Sequence, residues 1–187
     1  MEAVSKDEFL KRQNEFAKRV LAGAVFVYPT DTIYGVGCDA RNAEAVATVR
    51  ALKNRPDTPL SVIAPSKIWI EENCVLLEEA KKWLEKLPGP YTLVLKMKKP
   101  CVSDNVSRDT LGVRIPDSWF SEFVSELGVP VVTTSVNKHG ERPMTSIEDM
   151  EKGIAEGVDF VVYDGPLKGR PSVLIDLTGP DAKIRER

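Results

Sequence analysis

Short apolar runs alternate along this chain with longer stretches in which apolar residues recur every three or four positions. Ser5 and Glu8 have capping-box spacing ahead of a helix that carries Phe9, Leu10, Phe16, Val20 and Leu21, and Gly23 ends it. Residues 24–28 then read as a buried strand. Ala43, Val46, Ala47, Val49 and Leu52 keep a helical period until Asn54-Arg55-Pro56 stops it. Residues 60–64 form the next strand. The charged, amphipathic stretch 76–87 is a helix ended by Pro88-Gly89-Pro90. Strands follow at 91–97 and 112–115, a helix at 118–127, and a strand at 129–135 that opens into a polar loop at 137–143. Ser146 and Asp149 cap a helix reaching residue 156, and strands at 158–163 and 173–177 complete the pattern.

Strands and helices therefore interleave over the whole chain, without repeat, linker or low-complexity stretch. This predicts one α/β domain over residues 1–187, with helices packed on a mixed sheet. Ligands of such sheets gather in loops at strand ends. The loops at 29–39, 135–143 and 164–172 each follow an apolar strand.

Composition narrows the class. The chain has 187 residues, 42% of them hydrophobic and 29% charged, with a net charge of −2. That is an ordinary globular balance, and it argues against a protein whose main task is coating nucleic acid. No apolar run approaches the roughly 20 residues of a membrane span, and the N-terminus lacks a signal-like apolar core. A cytoplasmic protein with no membrane association is expected. Cys38, Cys74 and Cys101 are widely spaced and form no C-x-x-C pair, which suits free thiols.

Candidate chemistry concentrates in Tyr28-Pro29-Thr30-Asp31-Thr32-Ile33-Tyr34-Gly35-Val36-Gly37. Pro29 ends the strand, and the hydroxyl-rich, glycine-bearing run after it can approach a ligand closely. It can equally be a long structural turn in which Asp31 makes an Asx-turn. Gly35-Val36-Gly37-Cys38-Asp39-Ala40 matches a dinucleotide fingerprint by letters only. Its glycines begin too far from the strand, and no acidic residue follows at the required place. A P-loop is absent. Lys53 and Arg55 either serve the C-terminal dipole of their helix or meet an anion. Arg114, inside an apolar strand, must be paired or must line an anion-binding cleft. Ser135, Asn137 and Ser172 stand at strand ends as turn formers or as phosphate and ribose contacts. Lys138, Arg142, Lys168 and Arg170 read as solvated loop cations, and Asp176 as a turn cap or a brace for the site. His139, the only histidine, is expected at the surface, which leaves no two-histidine metal site.

Several of these segments together resemble the YrdC/TsaC family of threonylcarbamoyl-adenylate synthases. Tyr28-Pro29-Thr30-Asp31-Thr32-Ile33-Tyr34-Gly35 is similar to its opening motif, and Lys53-Asn54-Arg55-Pro56 to its Lys-x-Arg motif. Pro59-Leu60-Ser61-Val62, the stretch 87–95 and Gly112-Val113-Arg114-Ile115-Pro116-Asp117 follow in family order. Thr134-Ser135-Val136-Asn137 and Ser172-Val173-Leu174-Ile175-Asp176 resemble its Ser-Ala-Asn and Ser-Thr-Val-Val-Asp blocks. Val136 and Val173 stand where the family has Ala and Thr, and His139 where it has Ser.

The resemblance implies a single-domain YrdC-like layered fold, a twisted sheet around a central concave cleft, without the second C-terminal domain of longer members. It implies condensation of L-threonine, bicarbonate or CO₂, and ATP to threonylcarbamoyl-adenylate and pyrophosphate, with Mg²⁺ arriving with ATP. It further implies a downstream transferase acting on tRNA, and leaves room for weak RNA binding. Motif matching places Lys53 and Arg55 as catalytic cations. It puts Lys53, Arg55, Ser135 and Asn137 on ATP, and Thr32, Arg114 and Ser172 on threonine. A non-catalytic RNA-binding module and a carbamoyltransfer domain of the hydrogenase-maturation type are the alternatives.

Overall fold

The computed structural model describes residues 1–54, 58–137 and 143–185. The described strands form one sheet in the order β1-β8-β2-β3-β7-β4-β6-β5-β9-β10. These are β1 (Glu2–Ser5), β2 (Phe26–Tyr28), β3 (Gly35–Gly37), β4 (Ser61–Ile63), β5 (Tyr91–Lys96), β6 (Thr110–Arg114), β7 (Val131–Ser135), β8 (Phe160–Tyr163), β9 (Val173–Asp176) and β10 (Lys183–Arg185). Pairing is mixed, as expected. β1 and β2 flank β8 in parallel, while β3 and β7 run antiparallel to their neighbours. β4 and β6 are parallel, as are β5 and β9.

Strand alternation sends successive side chains to opposite faces and divides the core in two. Phe26 and Tyr28 of β2 join an aromatic cluster with Phe9, Phe16, Phe120, Phe123 and Phe160. Helices α1 (Lys6–Lys11), α2 (Gln13–Leu21) and α6 (Phe120–Leu127) cover that face. Tyr28 and Phe120 stack with ring centroids 4.4 Å apart. Val27, between them in sequence, faces the other cluster. That side receives α3 (Ala43–Lys53), α4 (Lys67–Asn73), α5 (Glu78–Glu85) and α7 (Lys152–Gly157).

The structure refines several sequence expectations. The first helix breaks at Arg12, whose guanidinium pairs with Glu2, Glu8 and Glu15 at once. The helix expected from residue 146 is a 3₁₀ turn (Ile147–Asp149) followed by α7. β1, α4 and β10 carry no sequence expectation. β3 lies inside the stretch expected to be loop. Its glycines are required by crowding: a Cβ on Gly37 would stand 1.8 Å from the Val132 carbonyl oxygen, and one on Gly35 would press on the Tyr28 ring. Glycine thus serves here to let strands approach, not to form a turn.

Candidate active site

β3 and β7 are antiparallel, with Gly35 opposite Ser135, and β4, β6 and β5 continue the sheet beside them. A cavity of about 390 Å³ opens over this region. Its walls include Thr32, Tyr34, Ser61, Thr92, Arg114, Ser135, Asn137 and Ser172. Five of the sequence-predicted residues, Thr32, Arg114, Ser135, Asn137 and Ser172, therefore converge from distant parts of the chain. Arg55, Lys138, His139 and Arg142 lie outside the described residues. Lys168 and Arg170 are exposed, as expected for solvated cations.

Arg114 is both paired and cavity-facing. Its Nη2 donates to Asp31 Oδ1 at 2.5 Å, and the two side chains are only 6% and 10% exposed. Asp31 Oδ2 also accepts from the Asp117 backbone N–H at 3.0 Å, which ties the first motif to the turn after β6. Burial pushes the guanidinium pKa down, and the Asp31 carboxylate pushes it back up. Arg114 Nε is buried without a hydrogen-bond partner. An Arg keeps its charge in such a place and retains donors for a planar anion. The Asx-turn reading of Asp31 gives way to this ion pair.

The hydroxyls beside it have assignable directions. Thr30 donates its one proton to the Ile33 carbonyl at 2.7 Å. Its 2.9 Å contact with Thr32 Oγ1 therefore has Thr32 as donor, which leaves the Thr32 lone pairs facing Arg114 at 3.4 Å. Across the cavity floor, Thr92 Oγ1 and Ser172 Oγ are 2.7 Å apart, both buried.

Lys53 does not act as a helix cap. Asn54, at φ 48°, ends α3 in the left-handed region, and Lys53 extends away at 2% exposure. Its ammonium donates to the Ser135 carbonyl at 2.5 Å and to Asn137 Oδ1 at 2.7 Å, and also to the Asn137 carbonyl. Ser135 Oγ donates to the same Asn137 Oδ1 at 2.5 Å. Lys53 thus holds the end of β7 and brings positive charge beneath one cavity wall.

Residues 164–172 form a strap whose last two residues, Pro171 and Ser172, line the cavity. Tyr34 Oη donates to the Gly165 carbonyl at 2.6 Å and accepts from the Asp164 N–H at 3.1 Å. Burial raises the Tyr34 pKa to about 12, so the phenol stays protonated and keeps that donor. Asp164 accepts from the Trp119 indole at 2.8 Å, and Leu167 N–H donates to the Thr145 carbonyl. Gly169 lies so close to Thr32 that a Cβ would stand 1.9 Å from its carbonyl oxygen. Asp176 caps a turn, accepting from the Thr178 N–H and hydroxyl. Asp31, Tyr34, Ser61 and Thr92 all lie in the motif blocks, yet motif matching alone gave none of them a role. The partners of Asp31, Tyr34 and Thr92 lie 83, 131 and 80 positions away.

A wall of hydroxyls, an amide and a guanidinium, with a buried ammonium behind it, suits a ligand with several anionic groups. Comparison with known proteins identifies the family. The chain matches the Sua5/YciO/YrdC family, described as telomere recombination, over residues 18–186, and it belongs to that family. A Methanocaldococcus jannaschii protein, provisionally named threonylcarbamoyl-AMP synthase, is 38% identical over 176 residues, covering 91% of this chain and 83% of its own. The Stutzerimonas stutzeri threonylcarbamoyl-AMP synthase is 33% identical over 175 residues, covering 89% and 92%. P. abyssi Sua5, solved with L-threonine, superposes with a TM-score of 0.86 at 26% identity. That match covers 98% of this chain but 56% of Sua5, so the chain spans little more than half of that protein.

Proposed function

We propose that this protein is an L-threonylcarbamoyl-adenylate synthase, a nucleotidyltransferase that condenses L-threonine, bicarbonate or CO₂, and ATP. The observation that carries this reading is the cavity in which Arg114, held by Asp31, faces the Thr32 hydroxyl, with Ser135, Asn137 and Ser172 on the remaining walls. In a member of this family, that arrangement fits an amino-acid carboxylate at one end and a nucleotide at the other.

The amine of threonine adds to CO₂ and loses a proton, giving a carbamate. A carbamate oxygen then attacks the α-phosphorus of ATP, and pyrophosphate leaves. This chemistry depends on alignment and charge neutralisation more than on an enzymic base. Arg114, Thr32 and Ser172 hold the threonine end. Ser135 and Asn137 meet the nucleotide, and Lys53 fixes their backbone while adding its charge. Arg55 belongs to the same cationic group by motif. Mg²⁺ enters with the triphosphate as part of the substrate, which suits walls of hydroxyl, amide and guanidinium groups. The product passes to a transferase that places the threonylcarbamoyl group on a tRNA adenosine.

The test is a reaction with ¹³C-bicarbonate, followed by mass spectrometry. A product carrying threonine, the labelled carbon and AMP is expected. Carbamoyl phosphate replacing threonine and bicarbonate as the required substrate would contradict the reading. Arg114→Ala should raise the threonine KM by the roughly 1.5–3 kcal/mol of a lost charged hydrogen-bond pair, about 10- to 150-fold. Chelation of Mg²⁺ should abolish turnover and leave threonine binding measurable by calorimetry.

A further inference from the structure

Ser61 of β4 and Thr92 of β5 line the cavity from the strands on either side of β6. Ser61 of β4 pairs with Gly112 of β6, and Gly112 pairs with Val94 of β5. A Cβ on Gly112 would stand 2.5 Å from Ser61 Oγ and 3.3 Å from Thr92 Cγ2. Gly112 therefore leaves space between two hydroxyl residues that line the cavity. Thr92 is 1% exposed and Ser172 5% exposed, and their oxygens are 2.7 Å apart. Ser172 sits at the entry to β9, which runs parallel to β5 with Thr92 opposite Leu174.

Two buried hydroxyls with one contact between them share three possible roles: one proton lies in the contact, one proton is left over, and lone pairs remain on both oxygens. The leftover proton and lone pairs have only the cavity to serve. A serine hydroxyl rotates freely unless a neighbour holds it. The neighbour that holds Ser172 here is the Thr92 hydroxyl, 2.7 Å away.

We infer that Thr92 is a positioning residue for the reaction: its hydroxyl fixes the orientation of the Ser172 hydroxyl and so sets the affinity of the site for the polar end of threonine. This rests on the synthase reading above. Thr92 need not touch the substrate. Its effect passes through Ser172, so the two side chains form one unit whose parts do not act additively.

The experiment compares steady-state kinetics of wild type, T92V, T92S, S172A and T92V/S172A, with pyrophosphate release as the signal. T92V keeps the branched shape of the side chain and puts a methyl in place of the hydroxyl. The expected result is a threonine KM raised about tenfold in T92V, with the ATP KM unchanged within about twofold. T92S should recover most of the loss, and T92V/S172A should be no worse than S172A alone. Thermal melts of each variant separate altered binding from altered folding. A T92V threonine KM equal to wild type overturns the inference. So does equal impairment of T92S and T92V, which would make Thr92 a packing residue, and so does full additivity of T92V with S172A. Wild-type protein that shows no threonine-dependent release removes the synthase reading itself, and this inference with it. Normal wild-type turnover with an unaffected T92V removes the inference alone.

Discussion

Arg114 and Asp31 are the pair on which the site's electrostatics turn. Each is nearly buried, and each would be an isolated charge without the other. Removing one partner of such a pair costs far more than the pair itself contributes, roughly 3–5 kcal/mol. Asp31→Ala should therefore lower unfolding stability by about that amount in a urea titration. The double variant D31A/R114A should lose less than the sum of the two single variants, because no orphan charge remains. Equal and additive losses would show that the ion pair is not coupled in solution. The sequence marks Arg114 as unusual, since an arginine in an apolar strand needs a partner. It does not name that partner, because Asp31 is 83 positions away. The same holds for Lys53, whose helix-end position suggests a dipole role while its stem reaches across to Ser135, 82 positions on. Side-chain destinations of this kind depend on sheet order, which local spacing does not encode.

At the scale of elements, glycine decides which segments touch. Gly37→Ala would drive a methyl into the Val132 carbonyl and separate β3 from β7. A loss of several kcal/mol is expected, seen as poor soluble yield or an early melt, of the order of severe core damage. Gly169→Ala meets the Thr32 carbonyl instead, in a strap that joins no sheet. Its expected signature is a higher threonine KM with a nearly unchanged melting temperature. A drop in melting temperature as large as that of Gly37→Ala would make the strap part of the core. The turn after β9 adds a pH dependence. Its Asp176 carboxyl is held below its ordinary value of 3.8 by the Thr178 hydroxyl and N–H. A depressed carboxyl contributes stability above the unfolded value and loses it as pH falls through the folded one. Asp176→Asn should thus flatten the loss of stability below about pH 4 in acid titrations. Long periodic segments such as α3 and α6 were legible in the sequence. β3 was not, because its glycines look like turn residues. β1 was not either, because only Val4 of its four residues is buried.

The whole molecule brings together a ten-stranded described sheet, two apolar clusters and one hydroxyl-lined cavity. The mixed sheet brings Thr32, Arg114, Ser135, Asn137 and Ser172 to that cavity from distant parts of the chain. None of the described helices is long and apolar enough to cross a membrane. The intact core also predicts thiol behaviour. Cys38 and Cys74 are fully buried, and burial pushes the Cys74 thiol up to about 12 and raises Cys38 as well. Cys101 is only partly buried. A thiol reagent at neutral pH should label Cys101 first, and the other two only as the protein unfolds. The most direct test of the function is pyrophosphate release by the purified protein with Mg-ATP and bicarbonate, with and without L-threonine. Release that requires both threonine and bicarbonate is the predicted result. Release indifferent to threonine, or ATP binding with no release at all, would contradict it.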